Sequence, residues 1–195
     1  MFDRFVMRPS ALPVLLISLV AGVVAVAGFA PLNIWFLPVL SLAVLFGLLA
    51  RTHSMRRGFL IGLFWGWGFF FGGVSWIYVS LSVYGGMPMV LAALATFLFC
   101  SLLALFPALV GVFTACPYNR LSPTLRLLIL APLSWGMTEW VRNWLFTGFP
   151  WLAVGYSQVP DSPLAGYAPL LGVYGVSFTL ALIAALLAWT VIIHG

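Results

Sequence analysis

Six apolar runs, each long enough to cross a bilayer, constrain the fold of this chain more than any other feature of its sequence. A membrane-spanning helix needs about 17–25 apolar residues in succession. The runs cover residues 11–29, 34–50, 58–80, 89–114, 125–146 and 172–193. Backbone groups in hydrocarbon must bond within their own segment, and these runs lack the alternation of barrel strands, so each is predicted to be helical.

The composition leaves lipid as the suitable solvent for such a chain. Hydrophobic residues make up 64% and charged residues 6% of the sequence, whereas a soluble domain carries about 25% charged residues. We therefore predict an all-α membrane protein, a polytopic bundle of about six transmembrane helices that forms one domain over residues 1–195.

The arginines predict the orientation of the bundle. The sequence contains eight arginines and no lysine. With the N-terminus in the cytosol, seven of them fall on the cytosolic side: Arg4, Arg8, Arg51, Arg56, Arg57, Arg120 and Arg126. Because positive charge is retained on the cytosolic side, this predicts a multi-pass protein with its N-terminus in the cytosol. The arginines lie in short connectors and form no basic face, which argues against a nucleic-acid partner.

The N-terminus allows a second interpretation. Met1–Arg8 and the apolar run behind it resemble a signal peptide, with Ala25–Ala27 as a candidate cleavage site. We favour an uncleaved first helix, because its removal leaves five spans and inverts the arginine pattern.

Glycines spaced by four residues mark the third run. Gly58, Gly62 and Gly66 form a stripe of the kind that lets helices approach closely in lipid, so a packing role is predicted. Trp76 and Tyr78 follow near the outer end and fit an interfacial aromatic belt. The functional alternative is that these two aromatic residues line an entry site for an acyl chain.

The most informative stretch begins at the end of the fifth run. Glu139 and Arg142 stand three residues apart, share a helix face and are predicted to pair. The alternative is that these two candidate lipid-facing residues bind a lipid headgroup or take part in catalysis. Residues 144–158 then combine aromatic residues with a Gly-Phe-Pro-Trp turn, although an ordinary connector is polar. This stretch is predicted to lie along the outer membrane surface, either as a passive anchor or as a platform for a lipid substrate. Trp144, Trp151 and Tyr156 are the predicted anchors. The candidate lipid-facing residues are Gly148, Phe149, Pro150, Trp151 and Tyr156.

Neither a metal site nor a cofactor is predicted. Cys100 and Cys116 lie in and at the end of one apolar run, too far apart along a helix for a disulfide. No Cys/His cluster with metal-ligand spacing occurs, and His53 and His194 lie outside the apolar runs, where haem ligands are not expected.

Several of these stretches together resemble one family. They are 28–35, 65–68, 76–80, 84–88, 138–142, 147–151, 155–158 and 168–172. The chain resembles the N-terminal membrane domain of bacterial apolipoprotein N-acyltransferases. The resemblance implies acyl transfer from a phospholipid donor, through a cysteine thioester, to the N-terminal amine of a diacylglyceryl lipoprotein substrate at the periplasmic face of the inner membrane.

The resemblance also implies a missing part. In the family, the catalytic Glu, Lys and Cys belong to a nitrilase-like domain inserted between the last two membrane helices. This sequence has no lysine and stops after the sixth run, so we expect a truncated chain that is inactive alone, and we assign no catalytic residue. The alternatives are a small transporter or channel, and a membrane anchor whose partner is a separate nitrilase-like chain.

Overall fold

A computed structural model describes residues 11–116 and 121–194, and within these ranges it contains helices and no strand. The helices are α1 (Ala11–Val26), α2 (Phe36–Ala50), α3 (Met55–Val74), α4 (Trp76–Val79), α5 (Met89–Thr114), α6 (Pro123–Leu125), α7 (Ala131–Arg142) and α8 (Ala168–His194). The prediction of an all-α chain is confirmed. The charged start of the predicted signal-like N-terminus, with Arg4 and Arg8, and the cytosolic Arg120 lie outside the described residues.

Three helical segments are long and apolar enough to cross a membrane. They are Met55–Val74, Met89–Thr114 and Pro163–Ile193. Helices α1 and α2 are apolar but have 16 and 15 residues, so each rises about 24 Å or less, below the roughly 30 Å of a bilayer core. The described residues thus provide three candidate spans and two shorter apolar helices, and the six-span arrangement stays a prediction.

The fifth predicted span is the one that departs most from a simple helix. Residues 126–130 form a wide π-turn in which the Ala131 N–H donates to the Arg126 carbonyl. Pro132 follows and has no N–H to continue the regular ladder, which gives a physical reason for the wide turn. The helix ends at Arg142, four residues before the predicted end at Phe146. It ends there because the Phe149 N–H folds back onto the Arg142 carbonyl, at 2.9 Å.

Helix α3 lies in backbone contact with two neighbours through its glycines. A Cβ added at Gly62 would collide with the Pro107 carbonyl oxygen of α5, and one added at Gly66 would lie 2.8 Å from the Ala104 Cα. A Cβ added at Gly68 would likewise collide with the Leu19 carbonyl oxygen of α1. The predicted packing role of the stripe is confirmed, and α3 is the central helix between α1 and α5.

Substitution of Gly62 by alanine is expected to destabilise this packing. The new methyl group must push α3 away from α5, which costs about 1–3 kcal/mol. The matched control is Gly47→Ala on α2, where no heavy atom of the described residues lies within 4 Å of the added Cβ. Gly47→Ala is expected to be neutral or stabilising by up to about 1 kcal/mol. Thermal unfolding of both variants in one detergent checks this, and equal melting temperatures would contradict it.

Hydrogen bonds between side chains and backbone tie the two ends of the bundle. At one end, Arg126 is buried; its Nη2 donates to the Thr52 carbonyl and its Nη1 to His53 Nδ1, each at 3.0 Å. Arg126 lies in the wide turn at the start of the fifth predicted span, and its guanidinium holds the α2–α3 connector; its cytosolic placement stays a prediction. At the other end, Gln158 Nε2 donates to the Trp35 carbonyl at 3.0 Å.

Candidate functional site

The last turns of α7 present two buried charged residues to the chain that follows. Arg142 Nη1 donates to the carbonyl oxygens of Phe149, at 2.9 Å, and Trp151. Glu139 Oε1 accepts from the Val154 N–H at 2.9 Å. Because the two residues are three positions apart, they lie on one helix face and together hold residues 149–154 against α7.

The predicted Glu139–Arg142 pair takes a different form from a direct ion pair. The two charges are close enough to attract each other. Their hydrogen bonds, however, go to backbone groups of residues 149–154. Each side chain is at least nine-tenths buried, so both compensate part of the cost of burial by bonding this backbone. The pair therefore acts as a two-point staple on the segment that follows it.

Helix α8 adds a third anchor to the same segment. Ser177 is fully buried, and its Oγ accepts from the Gly155 N–H at 2.8 Å. The Ser177 hydroxyl and the Trp135 indole also lie beside the Glu139 carboxylate. Within the described part of the chain, the Glu139 Oε2 atom is buried and has no hydrogen-bond partner of good geometry.

A tight turn leads from α7 into the anchored backbone. Phe146, Thr147 and Gly148 have φ angles of 53°, 75° and 85°. This is the left-handed region, which costs a residue with a side chain about 1–3 kcal/mol at a constrained site. A Cβ on Gly148 would also collide with the Asn143 carbonyl oxygen. The glycine predicted as a site candidate is therefore required by the geometry of the turn.

Two cavities lie on either side of the anchored segment. The first, which we call the α5 slot, has a volume of about 320 Å³. It is lined by Phe99, Leu102, Leu103, Leu105, Phe106, Leu109, Arg142, Leu145, Phe146, Thr147, Gly148 and Phe149. The second, which we call the α1–α3 cavity, has a volume of about 710 Å³. It is lined by Phe29, Ala30, Asn33, Gly73, Trp76, Pro150, Trp151, Leu152, Tyr156 and Val159.

An aromatic wall divides the two cavities. The rings of Phe149 and Trp151 stack at 5.5 Å between centroids and 28° between planes. Phe149 also meets Phe99 of α5 edge-on at 5.0 Å, and Trp151 lies 6.4 Å from Trp76. Arg142 bonds the carbonyls of both wall residues, and each of the two residues lines a different cavity.

Comparison with known proteins places this architecture in a family. Residues 21–186 match the family model of the apolipoprotein N-acyltransferase N-terminal domain. This chain belongs to that family. A relative from Nitrosomonas europaea, itself an apolipoprotein N-acyltransferase, is 48% identical over 174 residues, which is 89% of this chain and 35% of the relative. Relatives of the same name from Photobacterium profundum and Vibrio cholerae are 42% and 41% identical over 91% and 88% of this chain.

This member of the apolipoprotein N-acyltransferase family therefore spans about a third of the length of those relatives. Its two cysteines are placed as packing residues. Cys100 is fully buried on α5 with its Sγ 3.7 Å from the Phe70 carbonyl, and Cys116 is half-buried after the same helix. A nucleophilic cysteine needs access and an activating neighbour, so neither is assigned a catalytic role.

The structure distributes the predicted site residues of this acyltransferase-family chain over both cavities. Arg142, Gly148 and Phe149 line the α5 slot. Trp76, Pro150, Trp151 and Tyr156 line the α1–α3 cavity. Glu139 and Tyr78 line neither of these two cavities, and Glu139 instead accepts from the Val154 N–H. Contact between these residues and a lipid substrate stays a prediction.

Sequence reasoning missed the residues on α5 and α8 that complete the site. Ser177 was detectable in principle, since a serine within a long apolar run invites a search for its partner. The leucines of the α5 slot gave no such signal. A leucine that lines a cavity and one that faces lipid are identical in an apolar run, and only the packing of α5 against α7 separates them.

Proposed function

We propose that this chain is the membrane part of an enzyme that transfers an acyl chain from a phospholipid to the N-terminal amine of a diacylglyceryl lipoprotein. The observation that carries the proposal is the family match over residues 21–186. It includes the segment that Glu139 and Arg142 hold between two cavities. In this proposal the two cavities receive lipid substrates, and the stapled segment is the platform between them.

We further propose six membrane crossings with the N-terminus in the cytosol of a bacterial inner membrane. Two contacts support an alternation of the connectors between opposite ends. Arg126 bonds the α2–α3 connector, which brings two arginine-bearing segments to one end. Gln158 bonds the α1–α2 connector, which brings the aromatic 144–158 segment to the other end. With arginine retained in the cytosol, the cavities beside residues 144–158 open toward the periplasm.

The chemical step in this proposal belongs to a different part of the enzyme. A Glu–Lys–Cys triad needs a lysine, and these 195 residues contain none. By resemblance to the family, a nitrilase-like domain carries the triad. The chain described here binds and orients the lipids, so its residues are binding and positioning residues.

A chimera tests the proposal. Residues 21–186 of this chain replace the matched region of the Nitrosomonas europaea relative, and the chimera is expressed in cells depleted of their own N-acyltransferase. We expect N-acylated lipoproteins, detected by mass spectrometry of their N-terminal peptides, and restored growth. A control chimera carries Gly47→Ala, which is expected to behave identically. A chimera that reaches the membrane in a folded form and leaves lipoprotein amines free would contradict the proposal.

A further inference from the structure

The α5 slot is about as long as one membrane leaflet is thick, and its lining begins ten residues after the start of α5 at Met89. Its lining residues on α5 extend from Phe99 to Leu109, and ten residues of helix rise about 15 Å. The hydrocarbon core of a bilayer is about 30 Å thick, so one leaflet supplies about half of that. Leu102, Leu105 and Leu109 are each about two-fifths exposed. The slot is therefore open sideways, and a lipid chain can enter it from the bilayer without any helix moving apart.

Arg142 is the one charged residue among those that line the slot, Glu139 lies close enough to attract it, and most of the remaining lining is apolar. Arg142 contributes to the wall, and Thr147 and Gly148 lie beside it. The Arg142 side chain is 3% exposed, and its hydrogen bonds to the carbonyls of Phe149 and Trp151 both come from Nη1. A guanidinium is a planar fork of five donors that matches the oxygens of a phosphate. The guanidinium donors other than Nη1 can thus meet an anionic group at Arg142, and the apolar lining suits a hydrocarbon chain beside it.

We propose that the α5 slot holds one acyl chain of the phospholipid donor, with a phosphate oxygen at Arg142, and that Leu105 and Leu109 set the preferred chain length. This inference rests on the proposed function, which identifies the bound lipid as the acyl donor. The position of Leu109 along α5 is the reason why this residue would limit the length of the acyl chain. Leu109 is the lining residue of α5 farthest from Phe99, which contacts Phe149 of the aromatic wall, so the chain terminus lies beside Leu109.

Lipid retention by the full 195-residue chain tests the inference. The protein is exchanged into detergent with phosphatidylethanolamines that differ only in palmitoyl or lauroyl chains, and bound lipid is measured by native mass spectrometry. Leu109→Trp is expected to lower the palmitoyl-to-lauroyl ratio by at least about fivefold, because the indole fills the end of the slot. The matched control is Leu94→Trp, on the same helix but outside the slot and 51% exposed, which is expected to leave the ratio unchanged.

A second substitution keeps the test decisive if the tryptophan variant does not fold. Leu109→Ala lengthens the slot and is expected to raise retention of stearoyl relative to palmitoyl lipid. An unchanged ratio in every folded Leu109 variant would overturn the length assignment. Dipalmitoylglycerol, which has no phosphate, is expected to bind at least about tenfold more weakly than the phospholipid. Equal retention of the two would overturn the phosphate assignment to Arg142.

The outcomes separate this inference from the proposed function. An active chimera with no chain-length effect at Leu109 overturns the inference and leaves the function in place. A chain-length effect in the purified protein together with an inactive, folded chimera overturns the function and retains the slot as a lipid site.

Discussion

Replacement of Arg142 by methionine is expected to accelerate hydrogen exchange in residues 149–155 by about two orders of magnitude. The substitution removes both hydrogen bonds to the carbonyls of Phe149 and Trp151. Hydrogen bonds from a charged donor contribute about 1.5–3 kcal/mol each, so a local loss of about 3 kcal/mol is a conservative sum. Each 1.4 kcal/mol corresponds to a tenfold change in the opening equilibrium. Methionine retains an apolar chain of similar reach over the Phe70 ring, which the Arg142 guanidinium carbon faces at 5.3 Å.

Exchange mass spectrometry of the purified protein measures this effect. The reporting amides are those of Phe149, Ala153, Val154 and Gly155, all of which donate hydrogen bonds in the native segment. The control Arg57→Met removes an exposed arginine from the first turn of α3 and is expected to leave these amides unchanged. Wild-type exchange rates in the Arg142→Met protein would show that the staple on α7 does not hold the segment.

Helix positions were largely predictable from the sequence, because every segment that crosses hydrocarbon must satisfy its backbone hydrogen bonds internally and therefore forms a helix. The run at 89–114 became a single helix with those bounds, Met89–Thr114. The predicted start of the last span at Gly172 coincides with a break in α8, where φ is 64° and ψ is 177°. The apolar character of a run could not reveal the wide turn before Pro132 or the end of α7 at Arg142. Both depend on where individual N–H groups find acceptors, and the apolar content of a stretch of sequence does not contain that information.

The site was predictable only in part, for a related reason. Charged residues in an apolar run are conspicuous, because burying them is costly, so Glu139 and Arg142 could be singled out from sequence. Their partners could not, since backbone carbonyls carry no signature in a sequence. Spacing suggested that the pair would bond to each other, whereas the fold offered each of them an acceptor or donor on the 149–154 backbone. The cavities follow from those bonds and were invisible for the same reason.

Substitution of Gly148 by alanine is expected to displace the aromatic wall and to impair both cavities together. Alanine at a φ of 85° is strained, and its Cβ collides with the Asn143 carbonyl oxygen. Strain and overpacking each cost about 1–3 kcal/mol, which gives a combined cost of about 3 kcal/mol. The backbone is expected to relieve this cost by moving Phe149 away from Phe99, which opens the α5 slot to the other cavity. In the chimera, N-acylation is then expected to fall by at least about tenfold.

Gly166→Ala is the matched control for this turn. Gly166 also lies in a short helical turn after α7, yet no heavy atom of the described residues lies within 4 Å of its added Cβ. Melting temperature and N-acylation are measured for both variants in the chimera, and Gly166→Ala is expected to match the unmodified protein in both. If Gly148→Ala also matched it, the left-handed turn would not determine the position of Phe149, and the cavities would have to be shaped by Arg142 and Glu139 alone. A fall in N-acylation with an unchanged melting temperature would place the effect on the wall, because the strain is then relieved locally by the turn that carries Phe149.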